Sequence, residues 1–464
     1  MHSAAWPHAV KESIIASERR HPASAFLIFL IFLLVLIVLA AVAFLALASK
    51  PPIERIAQPQ PSAFSPALVR QGQMLASAGD CASCHTTRDG PPFAGGVALE
   101  TPFGTIHGTN ITSEPETGIG AWSEAAFRRA MREGVSRDGH LLYPAFPYNH
   151  FTHLTDPDIS ALYAFLMTRD PVRAPAAQNR LVFPLQFRPL VAGWNMLHLE
   201  PGPLPAQPNQ SAEWNRGAYL VNSAAHCGAC HTPRNNLGGE RGDAFLAGGE
   251  AEGWHATAIN PQSPSPVPWS AEALATYLRT GIVGEHAMTA GPMAGVVANL
   301  AQADPADVRA IATYIAGAMG PPTPEHQARE RSARAKAAQP SLAAVPATAA
   351  AAPADAATLA LGATVYAGSC ASCHDVGRDV SSSAALRLPL AVALHLPDPR
   401  NLIHIIRQGI EPADGRPGRW MPPFEGSLTD EQLTALVVWL RRQGTDAPPW
   451  PDVARVVKET GHAP

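Results

Sequence analysis

The sequence predicts a mainly α protein of three tandem, similar units that follow one long apolar helix. Three observations support this prediction. The motif Cys-x-x-Cys-His occurs three times and accounts for all six cysteines of the chain. The motifs are nearly evenly spaced, because their first cysteines stand at positions 81, 227 and 370. An unbroken apolar run without a charged residue covers residues 23–48, close to the N-terminus.

The three motifs have the spacing at which proteins attach haem c covalently. Two thiolates form thioethers with the haem vinyl groups, and the adjacent histidine binds the iron. A zinc site would need paired C-x-x-C units or more histidines at ligand spacing, and a disulfide framework suits a short secreted chain. The sequence therefore predicts three covalently bound haem c groups, attached at Cys81, Cys84 and His85, at Cys227, Cys230 and His231, and at Cys370, Cys373 and His374.

Length and charge limit the possible classes of protein. A chain of 464 residues is too long for one compact core and long enough for three modest domains with their connections. The net charge is −4 and only 16% of the residues are charged. No basic excess therefore points to a nucleic acid partner.

The apolar run predicts a membrane anchor. As a helix it would span about 39 Å, more than the roughly 30 Å of hydrocarbon in a bilayer. Ala46-Leu47-Ala48 resembles a cleavage site, but the apolar part of a signal peptide usually has only about 7–15 residues. Basic residues precede the run, so we expect residues 1–22 in the cytoplasm, an anchor helix over 23–49 in the bacterial inner membrane, and the haem units in the periplasm.

A second repeated feature is a short helix that ends in Arg-x-Gly. The glycine is Gly134, Gly281 or Gly409, a residue suited to the position just past a helix end. Twelve residues beyond the second and third glycines stand Met293 and Met421, each beside proline. A methionine thioether is a common sixth ligand of haem iron. Two matches in register argue against methionine as simple core filler.

The order of elements in each unit is that of a class I cytochrome c domain: helix, haem motif, middle helix, ligand loop and C-terminal helix. The last helix is amphipathic and opens with acidic residues. The predicted domains cover residues 66–180, 211–320 and 358–446. The Ala/Pro-rich segment 321–357 is expected to be an extended or mobile linker, and residues 447–464 a C-terminal tail.

The first unit lacks the loop methionine. Twelve residues past Gly134 the chain has Phe146, which has no lone pair and cannot bind iron. We expect His150, in the same loop, to replace it and to give a bis-histidine haem. Met167 is the next candidate, ahead of Met131, and an open five-coordinate iron is the remaining alternative. A bis-histidine first haem would have the lowest potential of the three, because methionine ligation raises the potential.

Several longer stretches resemble the triple-haem cytochrome c subunits of bacterial membrane-bound, quinone-linked dehydrogenases. They include GDCASCHT, FAGGVALETPFGTIHGTNIT, LYPAFPY, CGACHTPRNNLGG, GPMAGVV and MPPF, and the likeness extends from about residue 66 to residue 445. Such subunits serve quinoprotein alcohol dehydrogenases, flavin-dependent sugar or gluconate dehydrogenases, and molybdopterin-dependent aldehyde dehydrogenases. The resemblance implies that the haem motifs and the loop methionines carry the function.

Two departures indicate which of these subunits the chain resembles most. The alcohol and sugar dehydrogenase subunits typically have a cleaved signal peptide and a methionine in the first ligand loop, whereas this chain has an apparent anchor and Phe146. Both features resemble the cytochrome subunit that accompanies a molybdopterin subunit and a small 2Fe–2S subunit in aldehyde or N-heterocycle oxidation. The partners that this implies are those subunits, ubiquinone and membrane lipid.

The leading interpretation is an electron-transfer subunit that passes electrons from a periplasmic aldehyde or alcohol dehydrogenase through three haems to ubiquinone. The chain has no nucleotide-binding glycine motif and no nucleophile signature, so no catalytic side chains are assigned. A quinoprotein alcohol dehydrogenase or a flavin-dependent sugar dehydrogenase is the alternative partner. Two other functions stay open: a haem enzyme that uses an open first haem, and a cytochrome subunit of a terminal oxidase.

Overall fold

The computed structural model describes residues 22–344, 353–375, 386–410 and 421–461. It begins with helix α1 (Pro22–Ala48), whose segment Phe26–Ala46 is long and apolar enough to cross a membrane. A signal sequence near an N-terminus can pass the same test of length and apolar composition. The described side chains of α1 are exposed as far as Phe44, which is half-buried, and Ala48 is buried. The end of α1 therefore packs against the rest of the chain.

The first unit surrounds the first haem motif with helices and one small sheet. Strands β1 and β2 form an antiparallel hairpin, and the short β3 pairs with the other side of β2. A further helix, α7, follows the unit and contacts the end of α1. In chain order the elements are α2 (Pro66–Ala78), α3 (Cys81–His85), β1 (Ala98–Thr101), β2 (Gly104–His107), α4 (Glu124–Glu133), α5 (Tyr148–Phe151), α6 (Asp156–Met167), β3 (Arg180–Leu181) and α7 (Leu190–His198).

The second unit repeats this order, with a helix at the predicted ligand loop. Its two hairpins are antiparallel, β4 with β5 and β6 with β7. Its elements are α8 (Ala212–Asn222), α9 (Gly228–His231), β4 (Gly249–Ala251), β5 (Trp254–Ala256), α10 (Ala271–Thr280), β6 (Ile282–Val283), β7 (Ala287–Met288), α11 (Pro292–Leu300) and α12 (Pro305–Met319).

The elements given below for the third unit are all α-helices. The unit keeps the N-terminal helix, motif helix, middle helix and C-terminal helix of the other two, with one helix before it and one after. These elements are α13 (Pro324–Ala337), α14 (Pro353–Ser369), α15 (Ala371–His374), α16 (Arg400–Gln408), α17 (Asp430–Gly444) and α18 (Val453–Thr460). The mainly α fold of tandem cytochrome c domains is thus the one that the sequence predicts.

Local sequence explains where the middle helices begin and end. The Ser123 hydroxyl accepts a hydrogen bond from Ala126 N at the start of α4, and Ser270 caps α10 in the same way. Gly134 and Gly281 follow these helices with φ of 63° and 74°, in the left-handed region that glycine adopts without strain. The prediction of glycine at the helix end is confirmed for both.

The N-terminal and C-terminal helices of each unit cross at a glycine. These glycines are Gly72 in α2, Gly217 in α8 and Gly362 in α14. A Cβ atom there would lie 1.9 Å from Ala161 O, 1.9 Å from Ala310 O and 2.3 Å from Ala435 O, respectively. A carbonyl oxygen of the partner helix thus occupies the space of a side chain. The same close crossing in all three places makes the units structurally equivalent.

The first two units share one hydrophobic core, and the third has its own. Leu75 and Ile159 of the first unit belong to the same buried cluster as Leu220 and Ile311 of the second. The core of the third unit is built by α14, α16, α17 and α18, with Leu436 and Val437 fully buried. Burial of apolar surface contributes most of the stability of such bundles, so the first two units are expected to fold as one body.

Part of the expected linker is a regular helix. Thr323 caps α13, its hydroxyl accepting from His326 N. Ala333 is buried in a small cluster with Val267 of the second unit and Leu390 of the third. The expectation of an extended or mobile segment is therefore wrong for residues 324–337, because they form a helix that packs against both the second and the third unit.

The expected C-terminal tail also belongs to the core. Trp450 is buried, and its Nε1 donates to Leu396 O at 2.8 Å. Helix α18 places Val453 and Val457 in the core of the third unit. The prediction of a free tail is wrong for residues 450–460, since apolar side chains at helical spacing there complete the third core.

Candidate haem sites

The histidine of each motif is oriented by a backbone carbonyl in the same unit. The three Nδ1 atoms lie 2.6 Å from Thr109 O, 2.7 Å from Thr257 O and 3.1 Å from Leu386 O, for His85, His231 and His374 in that order. A ring whose Nδ1–H donates to a carbonyl has Nε2 left as the metal-binding atom. Burial lowers the pKa of all three rings, which keeps them neutral, as iron ligation requires.

The motif cysteines have the properties of attachment sites rather than of a redox dithiol. All six lie in the described part of the chain, and none is in a disulfide. Burial raises the pKa of the first thiol of each motif, at Cys81, Cys227 and Cys370, to about 12. Thiol–disulfide exchange needs a thiol whose pKa is lowered, so these environments are unsuited to that chemistry.

A glycine lets a second strand of chain pass directly beside each of the first two motifs. A Cβ at Gly108 would lie 1.8 Å from Cys84 O, and a Cβ at Gly249 would lie 2.4 Å from Cys230 O. This close approach brings Thr109 and Thr257 within hydrogen-bond reach of the motif histidines. The residues present therefore fit a haem held by two thioethers and one imidazole.

The three positions reached by the twelve-residue count lie against the same cores as the motifs. Met293 and Cys227 both pack on the shared core of the first two units, as do Phe146 and Cys81. Met293 is the second residue of α11, so its backbone is helical rather than a loop. Met421 and Cys370 both pack on the core of the third unit.

Met421 is also fixed by backbone pairing. Ile410 N donates to Met421 O at 2.8 Å, and Met421 N donates to Ile410 O at 3.0 Å. Gly409, with φ of 71°, lies under this bridge, where a Cβ would be 2.4 Å from Met421 O. The methionine backbone is thus tied to the end of the middle helix, α16.

The structure places His150 at the boundary with the second unit. Its ring is 6% exposed, with Nε2 2.8 Å from Glu240 Oε1 and Nδ1 3.3 Å from Asn222 O. Both nitrogens therefore have partners outside the first unit. Of the other candidates, Met167 is fully buried at the end of α6 and Met131 is 6% exposed on α4, both within the shared core.

The first two units exchange contacts at their motifs. Helix α11, which carries Met293, rests on the first motif: Asn299 Nδ2 donates to Asp80 Oδ1 at 2.5 Å, and Gly295 lies beside Ser83 Oγ. In return, α5 rests on the second motif, where the His150 ring lies 3.2 Å from the position a Cβ would take on Gly228. The segment predicted to carry the sixth ligand in each unit thus covers the Cys-x-x-Cys-His motif of the other unit.

Partly buried polar groups reinforce this exchange. Burial acts to raise the pKa of Glu240, but the hydrogen bond and charge of His150 bring that pKa below its ordinary value. His226, the residue before Cys227, has its Nε2 3.1 Å from Gly79 O, and burial lowers its pKa to about 4. Glu240 as a carboxylate and His226 as a neutral imidazole are therefore the forms that fit this boundary.

The second and third units meet through the β4–β5 hairpin. Asn401 on α16 pairs with the backbone of His255, accepting from its N and donating to its O, both at 2.8 Å. The Trp254 ring stacks on His404, with centroids 4.8 Å apart, and also lies against Gly291, next to the Met293 segment. Unlike the first two units, the third unit in its described residues does not share the large buried core of its neighbour.

Sequence reasoning identifies the motifs and the two methionines but misses the residues that orient them. Thr109 and Thr257 act through backbone carbonyls, which side-chain patterns do not reveal. Glu240 and Trp254 act across boundaries between units. Trp254 and Thr257 could have been found by aligning the units, because they stand in the stretch that corresponds to GTIHGT in the first unit.

Comparison with known families supports cytochrome c domains in two parts of the chain. Residues 69–170 match the family described as cytochrome c. Residues 357–440 match the family described as cytochrome c oxidase, cbb3-type, subunit III. These stretches contain the first and the third Cys-x-x-Cys-His motif.

Similar proteins cover most of the chain. A nicotinate dehydrogenase subunit of Pseudomonas putida is 43% identical over 414 residues, which are 88% of this chain and only 33% of that longer protein. The fructose dehydrogenase cytochrome subunit of Gluconobacter japonicus is 35% identical, covering 82% of this chain and 80% of its own length. The cytochrome c subunit of the quinone alcohol dehydrogenase of Gluconobacter oxydans is 33% identical, with the same two coverages.

Proposed function

This chain belongs to the cytochrome c subunits of bacterial dehydrogenases, and we propose that it carries three haem c groups and relays electrons from a dehydrogenase subunit to ubiquinone. The observation that carries the proposal is the motif histidine, held in each unit by its Nδ1 on a backbone carbonyl. Bound haem supplies reversible one-electron chemistry, while the protein attaches it, orients its ligand and limits the access of water.

Each proposed haem has its own set of side chains. The six motif cysteines attach the porphyrins, and His85, His231 and His374 bind the irons. Met293 and Met421 are the proposed sixth ligands of the second and third irons, supported by their packing on the cores that also hold the motif cysteines. The exchanged contacts support close communication between the first two haems, because each ligand segment lies on the other motif.

The sixth ligand of the first iron is proposed to be His150, with Met167 as the alternative. An imidazole binds iron through one ring nitrogen, so His150 has to give up either its bond to Glu240 or its bond to Asn222 O. Those two bonds favour a second candidate function, in which the first iron has no side-chain sixth ligand and binds a small molecule.

Near-infrared magnetic circular dichroism and EPR of the oxidised protein separate these cases. A bis-histidine signal supports His150 and contradicts the open site. A high-spin signal at neutral pH supports the open site, and a His150→Ala variant with an unchanged spectrum removes His150 as ligand. A third His–Met signal in that variant and in the wild type points to Met167.

A molybdopterin dehydrogenase subunit with a small 2Fe–2S subunit is the proposed electron donor. The likeness to the nicotinate dehydrogenase subunit, at a higher identity than the sugar and alcohol dehydrogenase subunits above, supports oxidation of an N-heterocycle or an aldehyde. The absence of methionine at Phe146 is the sequence feature that points the same way.

A membrane location is proposed from the way the chain holds α1. Phe44 and Ala48 pack on α7 and on Val135, which suits a helix that stays attached to the mature protein. The segment after α1 is tied along the first unit, with Ile53 N donating to Arg137 O at 2.7 Å. We propose that α1 anchors the chain in the inner membrane and that the haem units lie in the periplasm.

Purification of the complex from membranes tests the function. The copurifying subunits are identified by mass spectrometry, and nicotinate, acetaldehyde and ethanol are each added anaerobically while the haem α-band is recorded. The proposal expects a molybdenum subunit, haem reduction by the heterocycle or the aldehyde, and reoxidation by ubiquinone-1. A Cys370→Ala/Cys373→Ala variant, which lacks the third haem, is the matched control that tests whether reoxidation by ubiquinone-1 needs all three haems. Copurifying copper–haem oxidase subunits would instead support the terminal oxidase interpretation.

A further inference from the structure

Exposed large apolar side chains beyond α1 are concentrated in one segment. Ten such residues are exposed in the described part of the chain outside α1, and six of them lie between positions 182 and 197. A cluster of this kind on a surface usually marks an interaction site. We call these residues the apolar strip: Val182, Phe183, Phe187, Leu190, Met196 and Leu197.

The strip is displayed by a firmly held backbone. Tyr148 OH donates to Asn195 Oδ1 at 2.6 Å, and the Trp194 ring packs edge-on against Tyr148. Trp194 Nε1 donates to Leu237 O at 3.1 Å, and Arg188 Nη1 to Leu141 O at 2.9 Å. Phe183 is nevertheless 88% exposed and Met196 75% exposed. The apolar side chains of the strip are therefore exposed although their segment is held by hydrogen bonds and ring contacts to the rest of the chain.

The strip lies beside the end of the apolar helix. The ring of Phe44, which is still within the span Phe26–Ala46, comes 3.9 Å from the position that a Cβ would take on Gly193. Leu190 and Leu197 stand three residues before and four residues after Gly193, so helical geometry puts them on the same side of α7. A bilayer that contains Phe44 therefore ends at the level of this face.

The charges around the strip suit a membrane surface. No aspartate or glutamate occurs between Asp170 and Glu200, whereas Arg173 and Arg180 are exposed in that interval. Basic side chains near a bilayer are attracted to anionic headgroups. An apolar face flanked by arginine is the pattern of a segment that lies in the interface.

We propose that the apolar strip inserts into the periplasmic leaflet of the membrane that α1 spans. The inference rests on the proposed membrane anchor and goes beyond it, because it gives the first unit a second contact with the bilayer. Two contacts with one bilayer fix the orientation of the first unit. Tyr148 and Asn195 pass that orientation to α5, which covers the second haem motif.

Spin labels on the full haem-loaded chain test this proposal in nanodiscs of phosphatidylethanolamine and phosphatidylglycerol. The native cysteines are taken up by haem, so single labelled variants Phe29→Cys, Met196→Cys and Gln262→Cys are specific. Phe29 reports on the anchor, Met196 on the strip, and the exposed Gln262 serves as the control. Power saturation compares collision with oxygen, which enters lipid, and with a polar nickel chelate, which does not. Phe183→Cys is a second reporter of the strip, and the haem absorption spectrum checks that each variant is folded.

The proposal expects oxygen to dominate at Phe29 and Met196 and the nickel chelate to dominate at Gln262. If Phe29 is in lipid while Met196 and Phe183 behave like Gln262, the anchor stands and the proposal is overturned. If Phe29, Met196 and Phe183 all favour the nickel chelate, both the anchor and the strip contact are refuted. Oxygen dominance at Met196 alone would support the strip contact and refute the anchor.

Discussion

The boundary between the first and second units differs in kind from the boundary between the second and third. The first pair shares one buried core and exchanges ligand segments over the two motifs. The third unit has a separate core and meets the second through a hairpin, a ring stack and helix α13. The same cytochrome fold is thus used once as half of a fused pair and once as an attached module.

The difference teaches that the sequence repeat does not determine how the repeats associate. The first two units cover each other's motifs because each provides a helix at its ligand segment, α5 or α11. At the boundary with the third unit, the contacts come from α16, from the β4–β5 hairpin and from helix α13. We therefore expect a destabilising substitution in either of the first two units to raise hydrogen exchange in both. A substitution in the third unit should raise exchange in that unit alone.

The crossing glycines should show the largest contrast. Gly72→Ala or Gly217→Ala places a Cβ 1.9 Å from a carbonyl oxygen, and we expect a loss of about 3 kcal/mol, the upper end for overpacking. Hydrogen exchange should then rise in both α2 and α8. Gly362→Ala should affect the third unit alone.

The control for this prediction is Gly368→Ala, in the same helix as Gly362. Nothing lies within 4 Å of a Cβ at Gly368, so the variant should be as stable as the wild type or slightly more so. If hydrogen exchange in α8 is the same in the wild type and in Gly72→Ala, the first two units do not fold as one body.

The pH dependence of the pair should come in part from His226. Burial lowers its pKa to about 4, so the folded protein keeps the ring neutral. The unfolded chain takes up a proton below its ordinary value of about 6.5, and stability therefore falls between pH 6.5 and pH 4, by up to about 3 kcal/mol. His226→Gln retains a donor for Gly79 O and should remove this slope. Stability is measured as a function of pH by hydrogen exchange in α8. An equal pH dependence in the wild type and in His226→Gln would count against this assignment.

Loss of Glu240 should weaken the exchanged contacts. Glu240→Ala leaves the buried Nε2 of His150 without its partner, at a cost of about 2 kcal/mol. Glu240→Gln keeps an acceptor and should cost less. The readout is hydrogen exchange in α5 and α9, and it should rise in both units for the alanine variant. No change in α5 would show that the contact does not hold the pair together.

The smallest effect is expected at the third unit. Asn401→Ala removes both bonds to the His255 backbone, at about 1 kcal/mol because the site is only half-buried. Exchange should rise in β4, β5 and α16 and stay constant in α2. Asn299→Ala is the counterpart at the other boundary and should affect α3 and α11 instead. Spread of the Asn401 effect to α2 would mean that all three units form one cooperative body.

Local signals are sufficient for the units and insufficient for their assembly. The motifs and the glycine at position 134 each act within a few residues, so the sequence predicts them; the helix caps at Ser123 and Ser270 are local signals of the same kind. His150 and Glu240 are 90 residues apart, and Asn299 and Asp80 are 219 apart. No pattern in one chain identifies such pairs, which is why the sequence points to His150 as an iron ligand and not as a boundary residue.

The errors in the linker and tail have a different cause. Thr323 followed by Pro324 is a helix start, and charged residues at helical spacing continue it to Ala337. Trp450 and the valines of α18 are likewise apolar at a spacing of three to four. Both signals are present in the sequence, but alanine and proline richness suggests an extended chain in the linker, and the short, polar character of the last residues suggests a tail.

The most direct test of the account is the intact mass of the purified haem-loaded chain under denaturing conditions. The account predicts the mass of the polypeptide plus three covalently attached haems, and plus two in a Cys227→Ala/Cys230→Ala variant. A wild-type chain that carries two haems or fewer would contradict the central claim that all three units hold haem c.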